Sequence, residues 1–83
     1  MNWTLLVTKP ARKALAKLPN RDQSRIERAL DALAVDPFTG DIKHLQALGW
    51  RRRVGEYRIF YDLYIQDRRI VVTAIERRTS TTY

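Results

Sequence analysis

The chain has no cysteine and only one histidine. Without thiols there is neither a disulfide framework nor a thiolate metal site, and one imidazole cannot make a histidine-rich one, so no metal or other cofactor is expected. No apolar run approaches the ~18 residues of a membrane-spanning helix. The N-terminus also lacks a basic segment followed by an apolar core, the mark of a secretory signal. These absences fit a cytoplasmic protein in a reducing setting, with no membrane association. Acidic residues are scarce as well: nine Asp and Glu stand against sixteen Lys and Arg, for a formal charge of +7 over 83 residues. A chain of that length can bury only about 60–65% of its unfolded surface and supports one core, so residues 1–83 are read as one domain.

The positive charge is unevenly made. Residues 1–49 carry eight basic and five acidic side chains, whereas residues 50–83 carry eight basic and four acidic ones, and all eight of those bases are arginine. Six of the eight aromatic residues fall in the same C-terminal stretch. Arginine presents a planar fork that meets two phosphate oxygens at once, and aromatic rings stack on unpaired bases. The composition therefore points to a nucleic-acid partner, the other reading being a cationic surface that serves only solubility.

Trp50 to Tyr61 concentrates this feature. β-Branched and aromatic residues flank Gly55-Glu56, and glycine accepts the positive φ that opens a type II′ turn, so a tight β-hairpin is expected. The two-residue loop sets Val54 opposite Tyr57, Arg53 opposite Arg58, Arg52 opposite Ile59, Arg51 opposite Phe60 and Trp50 opposite Tyr61. Side chains alternate across a strand. One face then carries Trp50, Val54, Tyr57, Ile59 and Tyr61, with Arg52 as its polar intruder, and the other gathers Arg51, Arg53, Arg58 and Phe60. Like charges facing each other across strands cost up to about 1 kcal/mol. Three arginines converging with no nearby carboxylate thus imply an anionic partner.

Upstream, Trp3, Leu5 and Val7 alternate in a first strand over residues 2–8. Thr8 is placed to cap a helix from about Pro10 to Leu18, with Ala11, Ala14, Leu15 and Leu18 at helical spacing and Pro19 ending it. Asn20 and Gln23 read as a capping pair for a second helix, whose stripe of Ile26, Ala29, Leu30 and Leu33 runs to Asp36-Pro37. The opposite face of that helix, Arg21, Asp22, Arg25, Arg28 and Asp31, mixes signs and reads as solvated. Pro37 to Asp41 is a loop, and Ile42 to Leu48 a short turn or helix in which His44 is a surface residue. Beyond Tyr61 the strand continues to Tyr64, and a turn at Gln66-Asp67 leads into Arg69 to Ile75. Leu63 then meets Ile70, Tyr61 meets Val72, Ile59 meets Ala74 and Arg58 meets Ile75, so Arg77 returns towards Arg58 while Glu76 lies on the other face. The expected fold is α+β in two layers: an N-terminal strand, a helical hairpin, and a three-stranded antiparallel meander completing a four-stranded sheet.

The element order, Lys13 to Pro19 (Lys-Ala-Leu-Ala-Lys-Leu-Pro), Asp36-Pro37, Arg53 to Tyr61 (Arg-Val-Gly-Glu-Tyr-Arg-Ile-Phe-Tyr) and Ile75 to Arg78 (Ile-Glu-Arg-Arg) resemble the RelE/ParE superfamily of toxins from bacterial type II toxin–antitoxin pairs. The resemblance implies a RelE-like fold, a cognate antitoxin partner, and one of two activities. One is ribosome-dependent endonuclease cleavage of mRNA in the A site, which inhibits translation; the other is inhibition of DNA gyrase. On the nuclease pattern Arg51, Arg53, Arg58 and Tyr83 would be catalytic together with one arginine of the Arg77-Arg78 pair, assigned to Arg78; Arg77, Phe60, Lys43 and Lys13 are read as RNA contacts. The chain departs from the family in having Arg52 at a usually apolar position, a shortened segment before Trp50, and Tyr83 as its last residue. The implied chemistry is metal-independent attack of a ribose 2′-OH on the adjacent phosphate, which requires a proton acceptor, charge stabilisation and a proton donor. Arginine supplies the second requirement, and a Tyr83 phenol lowered in pKa by neighbouring guanidinium groups is the expected acceptor. A non-catalytic RNA- or ribosome-binding module is the remaining reading.

Overall fold

A computed structural model describes residues 3–77, so Arg78 and Tyr83 lie outside the described residues. The elements run β1 (Thr4–Val7), α1 (Lys9–Ala16), α2 (Asn20–Val35), β2 (Asp41–Gln46), β3 (Gly49–Val54), β4 (Tyr57–Tyr64) and β5 (Arg69–Arg77). The strands form one sheet in the order β1-β5-β4-β3-β2, with β1 parallel to β5 and every other pair antiparallel. Both helices cover one face of it, giving the expected two-layer α+β arrangement. No described helix is long and apolar enough to cross a membrane.

The helices follow the apolar spacing closely and their caps less so. α1 begins after Thr8, with Pro10 in its first turn, where the absent N–H needs no partner. The Thr8 hydroxyl does not cap the helix; it donates to the Val72 carbonyl at 2.9 Å and ties the helix start to β5. α1 stops at Ala16, two residues short of expectation, because the Lys17 and Leu18 amides turn back to Ala14 and Leu15 in a tighter closing turn. Pro19, not Asn20, is the N-cap of α2. Gln23 is likewise no capping partner: its amide donates to the Leu18 carbonyl at 2.9 Å and the Ala16 carbonyl at 3.2 Å, satisfying the open end of α1 and stapling the two helices. The α2 stripe of Ile26, Ala29, Leu30 and Leu33 is buried throughout and meets Tyr57, Ile59, Tyr61, Leu63, Ile70, Val72 and Ile75 from the sheet.

Two corrections come from strand pairing. The segment expected to be a turn or helix is an edge strand, β2, so the sheet has five strands rather than four. Its pairing with β3 satisfies backbone groups that would otherwise face solvent. The β3–β4 hairpin has the expected register, and Gly55 takes φ +59° at the first position of the turn. The β4–β5 pairing starts as expected, with Leu63 opposite Ile70 and Tyr61 opposite Val72, and then shifts between Phe60 and Tyr61. Thr73 is the extra residue of this bulge, and beyond it Phe60 faces Ala74, Ile59 faces Ile75, Arg58 faces Glu76 and Tyr57 faces Arg77. The bulge turns Ile75 rather than Ala74 into the core. Each additional buried methylene is worth about 0.8 kcal/mol, which favours the branched side chain in that place.

Candidate nucleic-acid interface

The face of the sheet away from the helices carries the predicted arginines in two cross-strand rows. Register places Lys43, Arg51, Phe60 and Ala74 side by side in one row, and Asp41, Arg53, Arg58 and Glu76 in the next. Arg51, Arg53, Arg58, Phe60 and Lys43 are therefore together, as the alternation required. The expectation that no carboxylate lies nearby fails: Asp41 and Glu76 stand at the two ends of the second row. Glu76 sits there because of the Thr73 bulge, which also moves it from the face assigned from the sequence. Its carboxylate is 3.7 Å from Arg58 Nη2.

Arg58 is half-buried. Its guanidinium lies 5.7 Å from the centroid of the Phe60 ring and beside Glu76, so a ring and a carboxylate orient it from two sides. The Nε atoms of Arg51 and Arg58 are both buried and have no hydrogen-bond partner. A buried guanidinium N–H without a partner is costly, since it forgoes water as well as protein. Three guanidinium groups side by side on one face suit an oxyanion, which they meet with paired, charge-assisted hydrogen bonds.

Two predicted contacts lie elsewhere. Arg77 faces Tyr57 on the helix side of the sheet, a consequence of the bulge, and donates to Glu56 Oε1 from Nη2 at 3.0 Å and Nε at 3.3 Å. That carboxylate holds the Arg77 guanidinium further above its ordinary pKa. Lys13 is exposed on α1, in the helical layer, and does not share the arginine face. His44 is a surface residue, its Nε2 3.0 Å from the Ala47 carbonyl and its ring against Trp50. Among the described residues no three His, Cys, Asp or Glu side chains cluster in a way that would hold a metal ion.

The sequence reading also missed a pair on the helix side. The Tyr57 hydroxyl donates to Asp22 Oδ2 at 2.6 Å, so Asp22 belongs to the join between α2 and the hairpin rather than to a solvated face. This bond, then burial, raises the Tyr57 pKa. Tyr61 donates to the Pro37 carbonyl at 3.0 Å, and desolvation pushes its pKa up to about 12. No local signal links position 22 to position 57, because the two meet only when the layers pack.

Comparison with known proteins agrees with this architecture. Among solved structures the chain is similar to one from the toxin–antitoxin complex RelBE2 of Mycobacterium tuberculosis, with 26% identity over 94% of this chain and 100% of that one and a TM-score of 0.84. It is also similar to one from the archaeal RelE–RelB complex of Pyrococcus horikoshii, with 25% identity over 98% and 100% and a TM-score of 0.86. A YoeB/ParE toxin from Agrobacterium tumefaciens shares the fold at 20% identity, over 92% and 99%, with a TM-score of 0.76. No curated protein matches the sequence. The profile of the family described as the ParE toxin of the type II toxin–antitoxin system parDE matches residues 5–81, nearly the whole length. The chain belongs to this ParE toxin family of the RelE/ParE superfamily, as a toxin of the type II toxin–antitoxin kind.

Proposed function

We propose that this toxin is a ribosome-dependent, metal-independent endoribonuclease that cuts mRNA in the cytoplasm by 2′-OH attack on the adjacent phosphate. The observation that supports the reading is the convergence of Arg51, Arg53 and Arg58 on the open face of the sheet. In this reading the three guanidinium groups hold the scissile phosphate and stabilise the charge that builds on it, and Phe60 stacks on a neighbouring base. From the tail Tyr83 accepts the 2′-OH proton, and Arg78 stabilises the transition state and interacts with the leaving group. Lys43 extends the RNA contact at the edge of the sheet. Arg77 would reach RNA only by leaving Glu56.

Without a histidine pair or a carboxylate pair among the described residues, the protein depends on the ribosome to orient the 2′-OH for attack, so free RNA is a poor substrate. The partner is an antitoxin, as in the RelBE2 and RelE–RelB complexes whose chains the fold resembles, and an acidic or helical segment laid over the basic face would neutralise it. The deciding experiment is primer extension on translated mRNA with wild type and Arg58→Ala. Discrete cuts that vanish in the variant are expected. Intact mRNA with breaks in DNA would replace this reading with gyrase inhibition, and neither effect would leave a binding module.

A further inference from the structure

Strand β3 carries three consecutive arginines, and alternation sends the middle one through the sheet. Arg51 and Arg53 face the open side, whereas Arg52 points under the helical layer. There it lines a cleft of about 280 Å³ together with Arg25 and Arg28 of α2, over a small apolar floor of Ala29 and Val54. The Arg52 Nε is buried without a hydrogen-bond partner, and its Nη1 reaches only the Ala29 carbonyl, at 3.4 Å. Two glycines lie against its guanidinium groups. A Cβ on Gly40 would lie 2.7 Å from Arg52 Nε, and one on Gly55 would run into the Arg25 guanidinium. Both guanidinium groups thus lie close over bare backbone, and none of the ion pairs among the described residues involves Arg25, Arg28 or Arg52.

Three permanent cations in one cleft repel one another, and among the described residues no carboxylate lies within ion-pair distance of them. On α2 the basic residues Arg21, Arg25 and Arg28 recur at a spacing of four and then three, which aligns them along one helical face. Arg21 to Arg28 spans about 10 Å along the axis, long enough to meet more than one phosphate of an extended strand. The cleft and the open-face arginines are separated only by the thickness of the sheet near its β2 edge, where Lys43 also lies. We propose that this cleft is a second binding site, for the phosphodiester backbone of a single-stranded nucleic acid, so that the protein grips nucleic acid from both sides of β3. The inference builds on the proposed function only in taking the polyanion to be nucleic acid.

The test is the salt dependence of binding to a 2′-O-methyl RNA oligonucleotide, which cannot be cleaved, measured by fluorescence anisotropy. Arg25 and Arg28 are both exposed, so the double variant Arg25→Gln/Arg28→Gln should keep the wild-type unfolding midpoint. The slope of log affinity against log salt is expected to fall by about 1.4, the loss of two single-strand phosphate contacts. A double lysine variant at the same positions, Arg25→Lys/Arg28→Lys, keeps both charges and should retain most of that slope even if the glutamine pair is poorly folded. An unchanged slope in a folded glutamine variant overturns the proposal. So does a variant that releases a poly-glutamate peptide while its RNA binding stays intact, which would assign the cleft to an acidic protein. If the slope is unchanged while Arg58→Ala still abolishes mRNA cuts, the second site falls and the functional reading stands. If the slope drops while Arg58→Ala changes nothing on translated mRNA, the site stands and the functional reading falls.

Discussion

The two faces of the sheet are made by the same strands, and they differ in the polar groups they carry. Along β4 buried and half-buried residues alternate without a break. On the covered side Tyr57 and Tyr61 bury their rings and hand each hydroxyl a partner, Asp22 or the Pro37 carbonyl. On the open side Arg51 and Arg58 carry buried N–H groups that the fold leaves unmatched. The difference teaches where stability and binding reside. The covered face gives both tyrosine hydroxyls partners within the fold and, among the described residues, leaves a single guanidinium N–H, that of Arg52, without one; the open face gathers its cations where an anion can reach them.

Substitutions that separate the faces test this division. Ile59, fully buried between the layers, should be the most costly for stability. Ile59→Ala is expected to lose about 2–5 kcal/mol in urea unfolding, enough to unfold much of a small domain. Arg58→Ala, one residue away and on the other face, should change unfolding by less than about 1 kcal/mol and lower mRNA cleavage on ribosomes by about 100-fold or more, the scale of removing one donor to a developing oxyanion. If Arg58→Ala destabilises as much as Ile59→Ala, the two faces are not separate in role.

Tyr61 gives the next effect. Tyr61→Phe should cost about 1 kcal/mol at neutral pH, since the Pro37 carbonyl loses its donor. Its pKa in the folded protein, about 12, lies above the ordinary value of 10.0. The associated stability is therefore complete below pH 10 and is lost as the pH rises through about 12. Tyr57 is shifted in the same direction and adds to the same alkaline decline. Urea midpoints from pH 8 to pH 12 should fall steeply for wild type, and less so for Tyr61→Phe. The smallest change is expected on the open face: Glu76→Gln releases Arg58 from an exposed ion pair of about 0.2–1 kcal/mol, and should tighten non-cleavable RNA binding by no more than about five-fold. Weaker binding would mean that Glu76 orients Arg58 rather than competing with the phosphate.

Much of the fold was legible because short-range periodicity and burial agree. The α2 stripe and the β3–β4 register could be read from residues no more than a few positions apart, and the arginine face followed from the Gly55-Glu56 turn alone. The edge strand β2 was harder to see. Asp41 to Gln46 is almost entirely exposed, so no apolar alternation announces a strand whose order comes from pairing with β3. Arg77 and Glu76 exchanged faces for a related reason: the spacing of Ile70, Val72 and Ile75 is compatible with the core only through a bulge.

By itself the sequence determined the helical hairpin, the β3–β4 hairpin and the side of it on which Arg51, Arg53 and Arg58 stand, because helix and strand periods and turn chemistry act over a few residues. Only the tertiary structure decided that Glu76 would sit beside Arg58, that Asp22 would receive the Tyr57 hydroxyl, and that Arg25, Arg28 and Arg52 would share a cleft. Each of these joins elements distant in the chain, and the packing of the two layers, which maximises buried apolar surface, selects which distant side chains meet.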